Sequence, residues 1–296
     1  MDSVQVRLMR EDDLASAERA SAMTFFEAER STRRVSDPEV EPRSAVASKQ
    51  WIDRMRFFLG VDPGGCWVAV REDAGAGEVV GFAISQNRRG LWFLATYGVL
   101  PGHRAQGIGR RLMDAALHHA DGRPGIFSSS VHPGATRRYR LAGFSLHPQM
   151  RMVGTVDRHT LPTVDGLREG RPDDFEWMDR LDQDLRVAGH GPDHEYMLGT
   201  MRLVVSRDRA KPGYVYIDDR GRASLLAAAH PGIAQNLLWE ALASSRGRTL
   251  VNCVTTPNDW AIDVGLAARL DIGQEGYIAV RGMPVPAPYL ASGHFL

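Results

Sequence analysis

The stretch RAQGIGRRLM, residues 104–113, decides how the amino-terminal half of the chain is interpreted. It follows LWFLATYGVL (91–100), which is typical of a strand, and it leads into a segment with apolar residues at helical spacing. Gly107 and Gly109 let the backbone turn so that several N–H groups face one concavity at a helix amino terminus, where anions bind. The loop indicates a site for phosphate or pyrophosphate. The alternative is a turn that needs glycine for its geometry alone.

Two known phosphate-binding loops do not fit this stretch. A Walker A loop needs Lys and then Ser or Thr after its last glycine, whereas Arg110 and Arg111 follow Gly109 here. The dinucleotide fingerprint requires a third small residue where Leu112 stands. It also requires a parallel βαβ unit, whereas the strands before the loop are separated by glycine-containing turns that predict an antiparallel meander.

Two segments together identify the chain as similar to a known family. VLPGHRAQGIGRRLM (99–113) resembles the acetyl-CoA loop of the GCN5-related N-acetyltransferases (GNAT), in which a strand ending in Val-x-Pro precedes Arg/Gln-x-x-Gly-x-Gly/Ala. ATRRYRLAGF (135–144) is similar to the family helix that carries an alanine, a tyrosine four residues later and a Gly-Phe end. The resemblance is clear over residues 79–152, and in the second half it is only architectural.

The resemblance implies direct transfer of an acetyl group from the co-substrate acetyl-CoA to an amine, without an acyl-enzyme intermediate. It assigns the pyrophosphate to backbone N–H groups of Gln106, Gly107, Ile108, Gly109 and Arg110, with Arg104 and Arg111 as counter-charges. In the family, a splay between two central strands exposes backbone at the position of Val99. The N–H groups near Val99 and Leu100 are therefore the candidates for stabilising the oxyanion, and the same strand edge can pair with the pantetheine arm.

Two side chains are candidates for proton transfer. Tyr139 stands at the family's tyrosine position, and a hydroxyl of pKa about 10 can protonate a leaving thiolate of pKa about 8.5. The alternative is a tyrosine whose ring fills the core. Glu29 follows the first helix, in the segment that commonly lines the acceptor cleft in the family, and is the candidate base. The alternative is that Glu29 and Glu27 simply lie on the solvated side of a helix, with no role in catalysis.

The pattern of the first half starts again near residue 160. GLREGRPDDFEWMDRLDQ (166–183) repeats VRLMREDDLASAERA (6–20), since both place a short strand and an arginine-containing turn before an Asp-capped helix. We therefore expect an α/β (mixed α+β) fold of two tandem GNAT-like domains, each a mostly antiparallel sheet flanked by helices. Residues 1–156 are expected to carry the acetyl-CoA site and catalysis, and residues 163–296 to be a degenerate copy.

The second copy lacks the features that define the first site. HPGIAQNLLWEAL (230–242) has no Arg-x-x-Gly-x-Gly pattern, and only Gly232 remains. Ala261 stands where alignment of the repeats puts Tyr139. The closing residues 284–296 are rich in proline and aromatics, so an extended tail that packs across the domains is expected. One working site, in the amino-terminal half, is predicted.

Composition narrows the class of protein. The 36 basic residues of the 296-residue chain balance 36 acidic ones, so no overall charge directs it to nucleic acid or an anionic membrane. Cys66 and Cys253 have no metal-ligand spacing, so neither a disulfide framework nor a metal site is expected. The sequence shows no signal peptide and no apolar run near the ~20 residues of a membrane span. A cytoplasmic location is therefore expected.

These features favour an N-acetyltransferase that acts on a small-molecule amine, as a monomer or homodimer. Two alternatives stay open at this level. One is a sensor that binds acyl-CoA without catalysis, and the other is an acetyltransferase for peptide or protein amines. A deep enclosed pocket would favour a small acceptor, and an open acidic groove would favour a peptide.

Overall fold

The computed structural model describes residues 4–33, 39–72 and 77–296. The proline-containing loop expected over residues 31–45 therefore lies partly outside the described residues, at 34–38. The chain folds into two compact units, Met1–Asn87 with Leu94–Arg123 and Arg88–Phe93 with Pro124–Leu296. We refer to them as the first and the second unit.

The first unit contains four strands in the order β1-β2-β3-β4, and the pairs β1–β2 and β2–β3 are antiparallel. Its helix α3 packs an apolar stripe into the core, with Leu112, Met113 and Ala116 fully buried. The elements in chain order are β1 (Val4–Leu8), α1 (Leu14–Thr32), α2 (Ala45–Val61), β2 (Cys66–Arg71), β3 (Glu78–Arg88), β4 (Leu91–Val99) and α3 (Ile108–Ala120). The end of β3 and the first three residues of β4 belong to the second unit.

The second unit begins with β5 (Gly125–Ser129), α4 (Pro133–Leu141) and β6 (Ser145–Thr155). The elements that follow are β7 (Leu167–Glu169), α5 (Phe175–Arg186), α6 (Pro192–Thr200), β8 (Arg202–Ser206), β9 (Gly213–Ile217), β10 (Ala223–Ala228), α7 (Pro231–Ser244), β11 (Arg248–Thr255), α8 (Trp260–Ala267), β12 (Asp271–Arg281) and β13 (Tyr289–Leu290). One strand series runs β5-β12-β6-β11, with the start of β4 parallel to β5. A separate sheet has the order β13-β10-β9-β8-β7.

The two sequence halves exchange strands within the second unit. Strand β12, near the carboxyl end, lies between β5 and β6 and is antiparallel to both, while β6 pairs with β11. This exchange groups residues 124–156 with the second half. The compact units therefore do not coincide with the expected domains 1–156 and 163–296, and that division stays a prediction.

The start of each half has the same local structure. Arg7 forms two hydrogen bonds with the carboxylate of Asp13, at 2.6 and 2.8 Å. Arg168 does the same with Asp174, at 2.8 and 2.6 Å. Each aspartate also accepts a backbone N–H from the turn, that of Arg10 at 2.8 Å and that of Arg171 at 2.9 Å. The similarity read from the sequence therefore corresponds to one recurring turn. The predicted Asp cap is corrected, because neither Asp13 nor Asp174 caps α1 or α5 with its side chain, and each carboxylate instead holds the turn before the helix.

The second of these carboxylates is strongly acidic. Burial by itself would raise the pKa of Asp174, but hydrogen bonds from Arg168, Trp177 and the Arg171 N–H outweigh it and lower the pKa to about 2. Asp174 is therefore ionised in the folded protein at neutral pH.

The fold class expected from the sequence is confirmed: mixed α/β, with mostly antiparallel sheets and flanking helices. Cys66 and Cys253 are both buried and not bridged. None of the helices in the described ranges has the length and apolar character required to cross a membrane.

Candidate functional site

The loop between β4 and α3 has a backbone that requires glycine. After β4 ends at Val99, a 3-10 turn covers Pro101–His103 and helix α3 begins at Ile108. Gly107 is the N-cap residue of α3 and has φ = +80°, a left-handed conformation that glycine adopts without strain. A Cβ atom there would have nothing within 4 Å, so the conformation and not the space explains the glycine.

The N-cap residue Gly107 provides no side-chain hydrogen bond to the amino end of α3. The first helical hydrogen bond runs from the Arg111 N–H to the carbonyl of Gly107, at 3.1 Å. The N–H groups of Gly107, Ile108, Gly109 and Arg110 therefore precede the first helical donor, the N–H of Arg111. Four donors at the positive end of a helix dipole form the environment that a phosphate group requires.

Gly109 is needed for close packing against β4. The hydroxyl of Tyr97 donates a 2.8 Å hydrogen bond to the carbonyl of Gly109. A Cβ at Gly109 would lie 2.7 Å from that hydroxyl oxygen, closer than real Cβ contacts. Both glycines of the motif are thus explained, Gly107 by conformation and Gly109 by contact.

The charged and polar side chains of the loop are held by the main chain or by one another. Arg104 donates from Nε to the carbonyl of Val99 at 3.0 Å, and Arg111 donates from Nη1 to the carbonyl of Val4 at 2.9 Å. Exposed Arg110 lies 3.5 Å from Asp114, one helical turn later. Gln106 donates to the carbonyl of Gly102 at 3.4 Å. The expected roles of Arg104 and Arg111 as counter-charges stay predictions, since both guanidinium groups already bind main-chain oxygens.

The N–H groups of Val99 and Leu100, the two candidates for stabilising the oxyanion, face opposite edges of β4. The N–H of Leu100 donates to the carbonyl of Val80 on β3, at 2.9 Å. Because N–H groups alternate between the two edges of a strand, the N–H of Val99 faces the edge away from β3. The N–H of Leu100 is thus engaged with β3, whereas that of Val99 is not directed at β3, and the oxyanion roles of both residues stay predictions.

Tyr139 lies in the second unit, on α4, and is 6% exposed. Its ring contacts that of Phe127 edge-on, with centroids 4.5 Å apart. Phe127 in turn packs on Phe144 and Trp92. The ring thus fills an aromatic core, as the alternative interpretation expects. This packing also fixes the ring, and the catalytic role of the hydroxyl stays a prediction.

Glu29 lies near the end of α1 in the first unit, and its side chain is exposed. Its neighbour Glu27 pairs with Arg30 at 3.2 Å. The buried carboxylate of this helix is Glu18, which accepts hydrogen bonds from Arg43 and Ser48 at 2.9 and 2.8 Å. A general base at Glu29 stays a prediction.

The second half has no equivalent of the glycine loop. Only Ala229 and His230 separate β10 from α7, whereas eight residues, 100–107, separate β4 from α3. The amino end of α7 is capped, since Nδ1 of His230 accepts the N–H of Gly232 at 3.1 Å. A capped helix after a two-residue connection offers no concavity for a phosphate group.

The carboxyl-terminal segment covers the edge strand of the second half. β13 pairs antiparallel with β10, placing Leu290 opposite Leu226 and Tyr289 opposite Ala227. Asn258 holds the segment, because its side chain accepts the N–H of Tyr289 at 2.8 Å and donates to the carbonyl of Pro286 at 3.0 Å. The tail is buried within the second unit, with its last residues Phe295 and Leu296 3% and 0% exposed.

One buried polar cluster was not predicted from the sequence. Asp182, His190 and His194 are fully buried in the second unit, and one nitrogen or oxygen atom of each lies within 4.8 Å of those of the others. The sequence signal was HGPDH (190–194), two histidines four residues apart, with Pro192 marking the first turn of a helix. That helix, α6, was not predicted either.

Comparisons with known proteins agree with the fold. The profile of the Acetyltransferase (GNAT) family matches residues 24–144. A putative acetyltransferase from Pyrococcus horikoshii is similar over 99% of this chain and 95% of its own, with 16% identity and a TM-score of 0.74. A GCN5-related N-acetyltransferase from Sphaerobacter thermophilus is similar over 100% and 98%, with 15% identity and a TM-score of 0.59. A GCN5-related N-acetyltransferase from Kribbella flavida is similar over 94% of this chain and 71% of its own, with 18% identity and a TM-score of 0.57. No curated protein matched in sequence.

Proposed function

We propose that residues 24–144, which the acetyltransferase (GNAT) family profile matches, form an acyltransferase domain that uses acetyl-CoA and transfers the acetyl group directly to a primary amine of a small molecule. The observation that carries the proposal is the glycine loop before α3. Its left-handed Gly107 offers no side-chain cap to the helix amino end, and four N–H groups come before the first helical donor, the N–H of Arg111.

The loop supports a defined mode of acetyl-CoA binding. The pyrophosphate lies at the amino end of α3, where the N–H groups of Gly107 to Arg110 donate to it. The pantetheine arm pairs with the edge of β4 that faces away from β3. On that edge the N–H of Val99 donates to the thioester oxygen as it becomes an oxyanion.

Two side chains complete the proposed reaction. The amine nitrogen attacks the thioester carbon, and Glu29 accepts the proton that the nitrogen loses. As the tetrahedral intermediate collapses, the carbon–sulfur bond breaks and Tyr139 donates a proton to the departing thiolate. The thiol has a pKa of about 8.5 against about 10 for a tyrosine, which keeps this transfer within reach at neutral pH.

The proposed organisation is a tandem one with a single working site. Residues 1–156 carry the site, and residues 163–296 form a degenerate copy. Two observations support this division of roles. The β10–α7 connection is too short to form a phosphate loop, and β13 occupies the edge of the strand that corresponds to β4.

Calorimetric titration with acetyl-CoA tests whether the loop binds acetyl-CoA and how many acetyl-CoA sites each chain has. We expect one site per chain, and we expect Gly107→Val to abolish binding, because a β-branched residue is strained at φ = +80°. Gly102→Ala is the matched control, since Gly102 has an ordinary φ and open space around it. Two sites per chain would refute the degenerate second copy. No binding, or equal binding by both variants, would refute the loop as the acetyl-CoA site.

A screen of acceptors tests the substrate class. The released thiol is measured with acetyl-CoA and three panels: small primary amines, peptides with a free amino terminus, and lysine-containing peptides. Turnover with small amines alone supports the proposal. Turnover that is faster with peptides would move the acceptor to the peptide class, and binding without turnover would favour a sensor.

A further inference from the structure

Asp182, His190 and His194 of the second unit each place one ligand atom within 4.8 Å of those of the other two, and Asp179 lies beside His194. Asp179 and Asp182 project from α5, His194 projects from α6, and His190 lies in the connection between the two helices. Nε2 of His194 is 3.4 Å from Oδ2 of Asp182 and 3.5 Å from Oδ1 of Asp179. Nδ1 of His190 is 2.8 Å from the same Oδ2 of Asp182. These residues take no part in the reaction proposed above.

The Nε2 atom of His194 has no hydrogen-bond partner, although the side chain is 0% exposed. A buried polar atom without a partner costs free energy, so a ligand at this position would account for it. Ligand atoms 3.4 Å apart around an ion at about 2.1 Å subtend an angle of about 110°, as in tetrahedral zinc coordination. The His190–Asp182 pair is closer, and it must open to about 3.4 Å for the same angle.

The surrounding groups fix each ligand in the orientation that a metal requires. Nε2 of His190 lies 3.3 Å from the carbonyl oxygen of Phe295, which can only accept a proton. Nδ1 of His194 lies 3.1 Å from the hydroxyl of Tyr216, and that hydroxyl can donate to the carbonyl of His194 at 3.3 Å. While no metal is bound, Nδ1 of His190 donates its hydrogen to Oδ2 of Asp182 at 2.8 Å, so metal binding requires that hydrogen to lie on Nε2, between the carbonyl of Phe295 and the Tyr289 hydroxyl. For His194, Nδ1 donates to the Tyr216 hydroxyl when that hydroxyl donates to the His194 carbonyl, and Nε2 is then the ligating atom.

The carboxylate of Asp182 is held in the same way. The hydroxyl of Tyr214 donates to its Oδ1 at 2.7 Å, which leaves Oδ2 toward the two imidazoles. Arg89 lies 3.2 Å from Oδ2 of Asp179, which leaves Oδ1 of that residue toward His194. In zinc sites, each ligating side chain is usually held in place by a hydrogen-bond partner on the side away from the ion.

Charge and ligand type select the ion. Two carboxylates and two neutral imidazoles balance a divalent cation in a buried site. Other basic groups of the region have partners elsewhere: Arg88 pairs with Asp193, and Arg186 donates to the carbonyls of Ala188 and Leu296. The side chain of Asp179 is 14% exposed, so the cluster reaches solvent on that side. We propose that Asp182, His190 and His194 bind a structural Zn²⁺ ion, and that the carboxylate of Asp179, which lies beside His194, moves in as the fourth ligand.

Such an ion would tie together the second unit. It would join α5 and α6 directly, and through the outer contacts it would hold β9 and the carboxyl-terminal segment. The alternative is a protonated His194 paired with the two carboxylates, which would fill the same position with a proton. The two arrangements predict different metal contents, different effects of variants on zinc binding and different absorption spectra after Co²⁺ is added.

Metal analysis of the full chain, expressed without a histidine tag, is the direct test. Elemental mass spectrometry is expected to give about one zinc per chain after exhaustive dialysis. After removal with a chelator, titration with Zn²⁺ should restore that content and raise the thermal unfolding temperature. Replacement by Co²⁺ should give the intense visible absorption of a tetrahedral site. A chain that neither contains nor takes up zinc would overturn the proposal in favour of the protonated pair.

Variants locate the ion. His194→Gln is expected to abolish zinc binding, and Tyr216→Phe, which removes an outer partner, to weaken it about 10- to 100-fold. His159→Gln is the control, an exposed histidine outside the cluster. If His194→Gln fails to fold, Asp179→Asn at the partly exposed ligand serves in its place. Zinc that binds equally to all of these variants would show that the ion lies elsewhere.

Discussion

The hydroxyl of Tyr97 donates a 2.8 Å hydrogen bond to the carbonyl of Gly109, and this bond joins the proposed pantetheine strand to the first turn of the proposed phosphate helix. A Cβ at Gly109 would lie 2.7 Å from that hydroxyl oxygen. The strand and the helix end are therefore positioned by one contact that leaves no space for a side chain.

Gly109→Ala is expected to weaken acetyl-CoA binding by about tenfold or more, because the first turn of α3 must move away from Tyr97. Tyr97→Phe removes the obstructing oxygen, so Gly109→Ala should weaken acetyl-CoA binding less in the Tyr97→Phe protein than in the unaltered one. Calorimetry on the four proteins of this double-mutant cycle measures the coupling. Strictly additive effects would show that Tyr97 does not set the position of the helix.

Tyr139→Phe is expected to lower kcat by about tenfold to a thousandfold with little change in acetyl-CoA affinity, because only the leaving thiolate needs the hydroxyl proton. The ring itself is retained, so its contact with Phe127 is preserved. Tyr277→Phe, on β12, is the control. Turnover is measured under conditions in which chemistry limits the rate, and unchanged turnover would remove Tyr139 from the mechanism.

Glu29→Gln is expected to lower kcat/KM and to change its pH profile, because an amide cannot accept the proton of the amine. Glu27→Gln tests the neighbouring carboxylate, which pairs with Arg30. The pH–rate profiles of both variants are compared with that of the unaltered protein. A Glu29→Gln profile that overlays the original would assign the base to another group.

Asp174→Asn is expected to lower the free energy of unfolding at pH 7 by on the order of 2 kcal/mol, because it removes charge-assisted hydrogen bonds. The pKa of Asp174 is lowered in the folded state from 3.8 to about 2, so its contribution is complete above pH 3.8 and is lost as the pH falls toward 2. Urea unfolding should therefore show a difference between variant and original that shrinks below pH 4. Asp173→Asn, at an exposed neighbouring position, should show no such difference.

Asn258→Ala is expected to destabilise the second unit by about 3 kcal/mol, because the N–H of Tyr289 and the carbonyl of Pro286 lose a buried partner. Asn236→Ala, on the partly exposed face of α7, is the control. Deletion of residues 284–296 should lower stability further and reduce activity. Retention of both by the deleted protein would show that the tail is dispensable.

The sequence by itself determined the local parts of this protein. The glycine-containing turn into α3, the recurring strand, turn and helix that start each half, and the class of fold were predicted, because each depends mainly on residues within a few positions of one another. The pairing of Arg7 with Asp13 and of Arg168 with Asp174 was not predicted. A left-handed Gly107 and a carboxylate that caps a turn three residues earlier follow from nearby residue types alone.

Only the tertiary structure decided the rest. It placed β12 between β5 and β6, paired the carboxyl-terminal segment with β10, and brought Asp182, His190 and His194 together in the interior. It also engaged the Leu100 N–H with β3. These features join residues distant in the sequence, and they depend on which strand edges pair and which side chains are buried together. Local patterns of residue type do not contain that information, because it arises from packing of the whole chain.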